Sequence, residues 1–121
     1  MRFHHVQLSC PPGGEQAARA FWVDAVGLHE VAKPPGLAAR GGAWFRAADP
    51  GGTVEVHVGV EERFVPARKA HPALAVDDLE AVALRLAGLG YPVRWDDDLP
   101  GFRRFYTADP HGNRVEMVAA G

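Results

Sequence analysis

The sequence of 121 residues predicts an α+β fold built from two pseudo-symmetric βαβββ modules. Three observations carry that prediction. Trp44–Val56 (WFRAADPGGTVEV) and Arg104–Met117 (RFYTADPHGNRVEM) share one plan: an aromatic strand, an Ala-Asp-Pro turn with glycine, and a returning strand that carries a glutamate. A His-bearing strand opens each half, FHHVQL at Phe3–Leu8 and KAHPALAV at Lys69–Val76. The offset between matching residues shrinks smoothly, from 66 for His5 and His71, through 63 for Gly27 and Gly90, to 60 for Asp49 and Asp109. The order of elements is therefore kept and only loop lengths differ. Two copies are too few for a solenoid. They predict a single domain over residues 1–121, with module 1 at about residues 1–62 and module 2 at about residues 69–121.

Each element follows from local pattern. Alternation over Phe3–Ser9 predicts a strand, which Pro11–Gly14 (PPGG) breaks. Ala17, Ala18, Phe21, Trp22, Ala25 and Val26 fall on one face of a helix, with Gly27 placed to cap its C-terminus. His29–Ala32 is a short strand stopped by Pro34-Pro35-Gly36. Ala43–Ala47 and Thr53–Val60 flank Asp49-Pro50-Gly51-Gly52 and predict a hairpin. The polar segment Glu61–Lys69, with Pro66, links the halves. The second half opens with a strand at Ala70–Val76. Asp77 is the expected helix cap, with Glu80 three residues on as in a capping box. Leu79, Val82, Ala83, Leu86 and Leu89 form the apolar stripe of that helix, and Gly90 closes it. Pro92–Asp96 predicts a strand, and Phe102–Ala108 with Arg114–Ala119 the last hairpin around DPHGN. The result is eight strands and two helices.

The bulk numbers narrow the function classes. Hydrophobic residues at 47% suit a globular chain with one real core. A net charge of −2 without a basic run argues against nucleic acid as a partner. The single Cys10 rules out an intramolecular disulfide and fits a reducing compartment. There is no apolar run of the roughly 20 residues that span a bilayer, and no signal-peptide pattern follows Met1, so the expected location is the cytoplasm and no membrane partner is expected.

Strand parity sorts the polar residues. His5, Gln7 and Ser9 share a face, as do Glu55 and His57, Arg104, Tyr106 and Ala108, and Arg114, Glu116 and Val118. A sheet face that mixes His, Glu, Arg and Tyr is costly unless the groups are paired, wet or bound to something. Imidazole and carboxylate donors suit Mn, Fe, Co, Ni or Zn. A metal there would act as a Lewis acid or lower the pKa of a bound water.

The run Asp109-Pro110-His111-Gly112-Asn113-Arg114-Val115-Glu116 resembles the closing D-P-x-G-N-x-x-E signature of the vicinal oxygen chelate superfamily. That superfamily includes glyoxalase I, bleomycin-resistance proteins, fosfomycin-resistance thiol transferases and extradiol dioxygenases. His5 in HHV and His71 in AHPALAV match the His that opens each of its modules. The resemblance covers nearly the whole chain and speaks more to the fold than to the reaction. It implies an open, cup-like partial barrel, glyoxalase-like, formed by the two modules around a divalent metal (Ni, Mn, Zn, Co or Fe(II)). It implies His5, His71 and Glu116 as ligands, with the fourth on the last strand of module 1. Spacing does not choose that fourth ligand: Glu116 lies seven residues after Asp109, whereas Glu55 and His57 lie six and eight after Asp49. Glu55 ranks ahead of His57 because glyoxalase I-like members carry a Glu there, which Thr53-Val54-Glu55-Val56 resembles.

The resemblance further implies Glu116 and Glu55 as proton acceptors, and Arg104 and Tyr106 as groups that orient an anionic part of the substrate. The potassium-binding loop of the fosfomycin enzymes has no counterpart in the sequence. The expected activity is that of a small metal-dependent enzyme of the lyase, isomerase or transferase kind, acting on a compact carbonyl-bearing or anionic substrate. The alternatives are a metal-free protein that sequesters a drug, as bleomycin-resistance proteins do, and an Fe(II) ring-cleaving dioxygenase. A homodimer is expected by family analogy. Val31–Ala43 and Trp95–Phe102 are the expected pocket walls.

Overall fold

The computed structural model describes all residues, Met1–Gly121. The chain divides into two compact units, Met1–Pro66 and Ala67–Gly121. Each carries one open four-stranded mixed sheet, and the α+β arrangement of two βαβββ modules is the one the sequence predicts.

In the first unit β1 (Val6–Cys10) leads through α1 (Glu15–Arg19) to β2 (His29–Val31), α2 (Pro35–Ala38), β3 (Ala43–Asp49) and β4 (Gly52–Val60). The sheet order is β1-β4-β3-β2, with β1 parallel to β4 and the other pairs antiparallel. The chain from α1 continues as a π-helical segment, Ala20–Ala25. Its wider turn, with the Val26 N–H donating to the Phe21 carbonyl, lets the adjacent Phe21 and Trp22 both turn inward. Together with Ala18 and Ala25 they bury an apolar layer, and the sheet contributes Ala43, Phe45, Val56 and Val58. Burying an aliphatic or aromatic side chain of this kind contributes about 1.5–3 kcal/mol. The turn α2 stands where the sequence predicts only a break after Pro34: proline is well tolerated in the first turn of a helix, where its missing N–H has no partner to lose. The first strand begins at Val6, not Phe3, and Phe3 is fully exposed.

The second unit repeats the plan with β5 (Ala73–Val76), α3 (Leu79–Gly88), β6 (Arg94–Asp96), β7 (Arg104–Ala108) and β8 (Arg114–Ala119), in sheet order β5-β8-β7-β6. Leu79, Ala83 and Leu86 are the buried face of α3, against Leu74, Phe105, Val115 and Met117 of the sheet. Leu89, expected in the stripe, is exposed. The helix cap is Asp78 and not Asp77. The Asp78 side chain accepts from the Ala81 N–H at 3.0 Å, because the helix starts one residue later than the capping-box reading places it.

The two hairpins differ at their tips. In the second, Asp109 Oδ1 accepts from the N–H groups of His111 (2.9 Å) and Asn113 (2.8 Å), and Asn113 Nδ2 donates to Asp109 Oδ2 at 2.8 Å. Asp109 and Asn113 are buried, so the Asp-Pro-His-Gly-Asn run is a self-satisfied turn that fixes where β8 starts. In the first, Asp49 pairs in the ladder with Gly52, and Pro50-Gly51 alone make the turn.

Candidate functional site

Both sheets turn an apolar face to their helix and a polar face away from it. On the first polar face, His57 of β4 lies opposite Trp44 of β3 and Gln7 of β1. The His57 ring stacks on Trp44 (centroids 3.9 Å apart, planes at 4°) and on His5 (4.0 Å, 17°). His57 is buried, and its Nε2 has no hydrogen-bond partner. Burial depresses its pKa first, and the neighbouring His5 adds to that. Glu55, two residues earlier, is also buried. Its Oε1 accepts from Arg46 Nη2 at 2.7 Å and Nε at 3.2 Å. Its Oε2 lies 3.8 Å from His4 Nδ1 and 4.0 Å from His57 Nε2. The Arg46 hydrogen bond holds the Glu55 carboxyl below its ordinary pKa, so it is ionised at neutral pH. A cavity of about 570 Å³ opens on this face, with His5, Lys33, Trp44, Arg46, Glu55 and His57 among its walls. That volume is in the range of small-molecule pockets, about 300–1,000 Å³. Part of the expected wall Val31–Ala43 does line it, and its glycine corner is anchored: the Gly42 N–H donates to Glu15 Oε2 at 3.1 Å, and Lys33 donates to the Gly41 carbonyl.

His57 sets a pH dependence. Its folded-state pKa lies below the unfolded value of about 6.5. The unfolded chain therefore binds more protons between those two values, and stability rises with pH there. The contribution is fully present above the unfolded pKa and is lost as pH falls through the folded one. Wild-type protein is expected to lose more stability between pH 8 and pH 5 than His57→Gln, as read by urea midpoints. Parallel profiles for the two proteins would refute this account.

On the second polar face, Glu116 of β8 lies opposite Tyr106 of β7 and Ala73 of β5. Glu116 Oε1 is 2.9 Å from His71 Nε2, and Oε2 accepts from Arg104 Nη1 at 3.2 Å. His71 Nδ1 is 2.6 Å from the Lys69 carbonyl. A carbonyl only accepts, so Nδ1 carries a proton. In neutral imidazole Nε2 is then a bare lone pair facing a carboxylate oxygen. A proton or a cation must sit between them, and this tautomer is the one a metal-ligating His adopts. Arg104 also donates to Asp96 Oδ1 through Nη2 (2.8 Å) and Nε (3.1 Å). With all three guanidinium nitrogens engaged, Arg104 positions Glu116. Tyr106 is buried, and the His71 ring meets it edge-on at 5.4 Å.

The ladders settle which residues are counterparts. Two residues along from His5 is Gln7, which faces His57; two along from His71 is Ala73, which faces Glu116. Across the hairpins, Trp44 faces His57 as Tyr106 faces Glu116. The counterpart of Glu116 is thus His57. Glu55, ranked ahead of it on sequence, faces Arg46 and is the counterpart of Arg114. Of the residues singled out on sequence, His5, Glu55 and His57 come together in the first unit, and His71, Arg104, Tyr106 and Glu116 in the second. Arg46, Arg94 and Arg114 were missed as site residues; their parity with Trp44, Asp96 and Glu116 was the available signal. Within neither unit do three His, Cys, Asp or Glu side chains converge in a geometry that holds a metal ion.

Two sheets with polar faces of this make-up define a glyoxalase-type scaffold. The chain belongs to the glyoxalase-like domain family, whose model matches residues 9–118, and so to the vicinal oxygen chelate superfamily. A structure described as a glyoxalase family protein from Bacillus anthracis is 39% identical over 100% of both chains, with a TM-score of 0.88. The antibiotic-binding protein TnmS3 from a Streptomyces species is 26% identical, covering 100% of this chain and 99% of that one, with a TM-score of 0.71. A fosfomycin resistance protein from Listeria monocytogenes shares the fold at 14% identity, covering 100% of this chain and 94% of that one, with a TM-score of 0.71. No curated protein matches the chain in sequence. No helix is long and apolar enough to cross a membrane.

Proposed function

We propose that the chain is a small metal-dependent enzyme of the glyoxalase type. In this reading a divalent metal of the Ni, Mn, Zn, Co or Fe(II) group is the cofactor, its candidate donors are His5 and His57 on the first polar face and His71 and Glu116 on the second, and the substrate is a compact oxygenated molecule. The observation that carries it is a pair of imidazoles whose Nε2 atoms face the polar sheet surfaces. His57 Nε2 is buried and unpartnered, and His71 Nε2 is aimed at Glu116 with its proton on the other nitrogen. The superfamily commonly uses divalent metals. When bound, such an ion supplies Lewis acidity toward substrate oxygens. The protein's own groups do the rest. Glu55, ionised beside Arg46 and with Oε2 free of hydrogen bonds, takes a proton from the substrate. Arg104 holds Glu116 in place, and Tyr106 walls the second face. Purified protein reconstituted with Ni, Mn, Zn, Co or Fe(II) is expected to retain about one equivalent, and His71→Ala to retain almost none, by elemental analysis. Wild-type protein that retains no metal overturns the proposal.

A second reading is a metal-free binding protein. It is favoured by the guanidinium groups already seated on both carboxylates, Arg46 on Glu55 and Arg104 on Glu116, and by the likeness to an antibiotic-binding protein. The same metal measurement separates the two.

A further inference from the structure

Three guanidinium groups gather on the ring of Tyr106. Arg114 lies 4.0 Å from its centroid, Arg104 5.2 Å and Arg94 5.5 Å. They come from three adjacent strands: Arg94 of β6 sits directly opposite Tyr106, and Arg114 of β8 is opposite Ala108, one row along. The face carries only two carboxylates, Asp96 and Glu116, and Arg104 is bonded to both. Neither Arg94 nor Arg114 makes an ion pair, and Arg114 Nε is buried without a hydrogen-bond partner. A tyrosine ring attracts a cation at its face but accepts none of its in-plane N–H bonds. Two guanidinium forks thus remain unspent beside a buried aromatic, on a face with more cations than anions.

We infer that Arg94 and Arg114 form a clamp for an oxyanion, a carboxylate or a phosphate-type group carried by the substrate. Planar guanidinium forks match the two oxygens of such groups and bind them in bidentate fashion. Tyr106 holds both cations near its ring, Arg114 the more closely. Arg104, with every guanidinium nitrogen already bonded to Asp96 or Glu116, is not the anion's principal partner; the recognition role passes to its two neighbours. The inference rests on the proposed function only in taking the bound anion to be part of a substrate.

The test uses the full chain stripped of metal with EDTA, with inorganic phosphate and acetate as probes in calorimetric titrations. Saturable binding of either probe is expected, phosphate the tighter if the clamp suits a dianion and acetate the tighter if it suits a carboxylate. Arg94→Gln and Arg114→Gln are each expected to weaken it about tenfold, the scale of one lost charge-assisted hydrogen bond. Arg103→Gln is the control, because Arg103 pairs with Glu80 and stacks on Trp95. Arg114→Lys keeps the charge but loses the fork, and is expected to weaken binding as well. Arg94 is exposed, so Arg94→Gln tests the clamp even if Arg114→Gln fails to fold. No saturable binding by wild-type protein, or equal loss in Arg103→Gln, overturns the inference. Metal content measured on untreated samples keeps the two proposals separate: phosphate binding without metal leaves the clamp and removes the metal reading, and metal without phosphate does the reverse.

Discussion

His57→Ala is expected to weaken metal retention by at least about a hundredfold, while Glu55→Ala leaves it within about threefold. Outer partners of a metal-bound imidazole already cost about 10–100-fold when removed, so loss of a ligand itself costs at least as much. The contrast between the two alanine variants is the sharp part. Glu55 and His57 sit two residues apart on one strand and on one face. Glu55 is committed to Arg46 through two hydrogen bonds to a single oxygen, whereas His57 Nε2 makes no hydrogen bond and lies 4.0 Å from Glu55 Oε2. Competition with a chromogenic chelator reads both affinities. Retention by His57→Ala and loss by Glu55→Ala would restore the glutamate as ligand and refute the ladder-based assignment.

Trp22→Ala is expected to destabilise the chain by about 3–5 kcal/mol, the usual range for deleting a large buried aromatic. Trp22 is fully buried in the π-helical segment, and Phe21 meets it edge-on at 4.9 Å. Trp22→Phe is expected to cost less than about 1.5 kcal/mol. It leaves a smaller void, and it also removes an indole N–H that is buried with no acceptor. An unsatisfied donor of that kind carries a penalty of about 1–3 kcal/mol, which the phenylalanine variant recovers. Urea midpoints followed by far-ultraviolet circular dichroism measure both. A Trp22→Phe loss well above about 1.5 kcal/mol would mean that the indole N–H is satisfied in solution.

The fold was legible because its signals are local. Alternation marked the long strands, Ala-Ala-Phe-Trp-Ala spacing marked the first helix, and the glycines after both helices marked their ends. What escaped were features set by one residue of register. Asp77 and Asp78 both look like caps, and only the helix start distinguishes them. The short turn at Pro35–Ala38 has too few residues to show a period.

The site was legible to the same depth. Parity put the right residues on the polar faces, yet it did not pair them across strands. The Ala-Asp-Pro repeat that reveals the duplication also obscures the fourth position. Asp109 stands in its turn, while Asp49 is still a ladder residue. Counting from the two aspartates therefore starts from places that are not equivalent. Counting from ladder pairs gives offsets of 66, 62 and 59 for Gln7 and Ala73, Trp44 and Tyr106, and His57 and Glu116. Arg94 and Arg114 escaped as companions of Arg104 around Tyr106 because no rule of spacing joins three separate strands to one ring.

Between the matching pairs Arg46–Glu55 and Ala108–Arg114 the first hairpin holds eight residues and the second five. All three extra residues lie past the last polar pair, at the far end of the ribbon. One copy has therefore changed length without moving any ring or carboxylate on its polar face. The hairpin tip is a joint where the chain tolerates insertion, deletion or a grafted loop, because the ladder behind it absorbs none of the change.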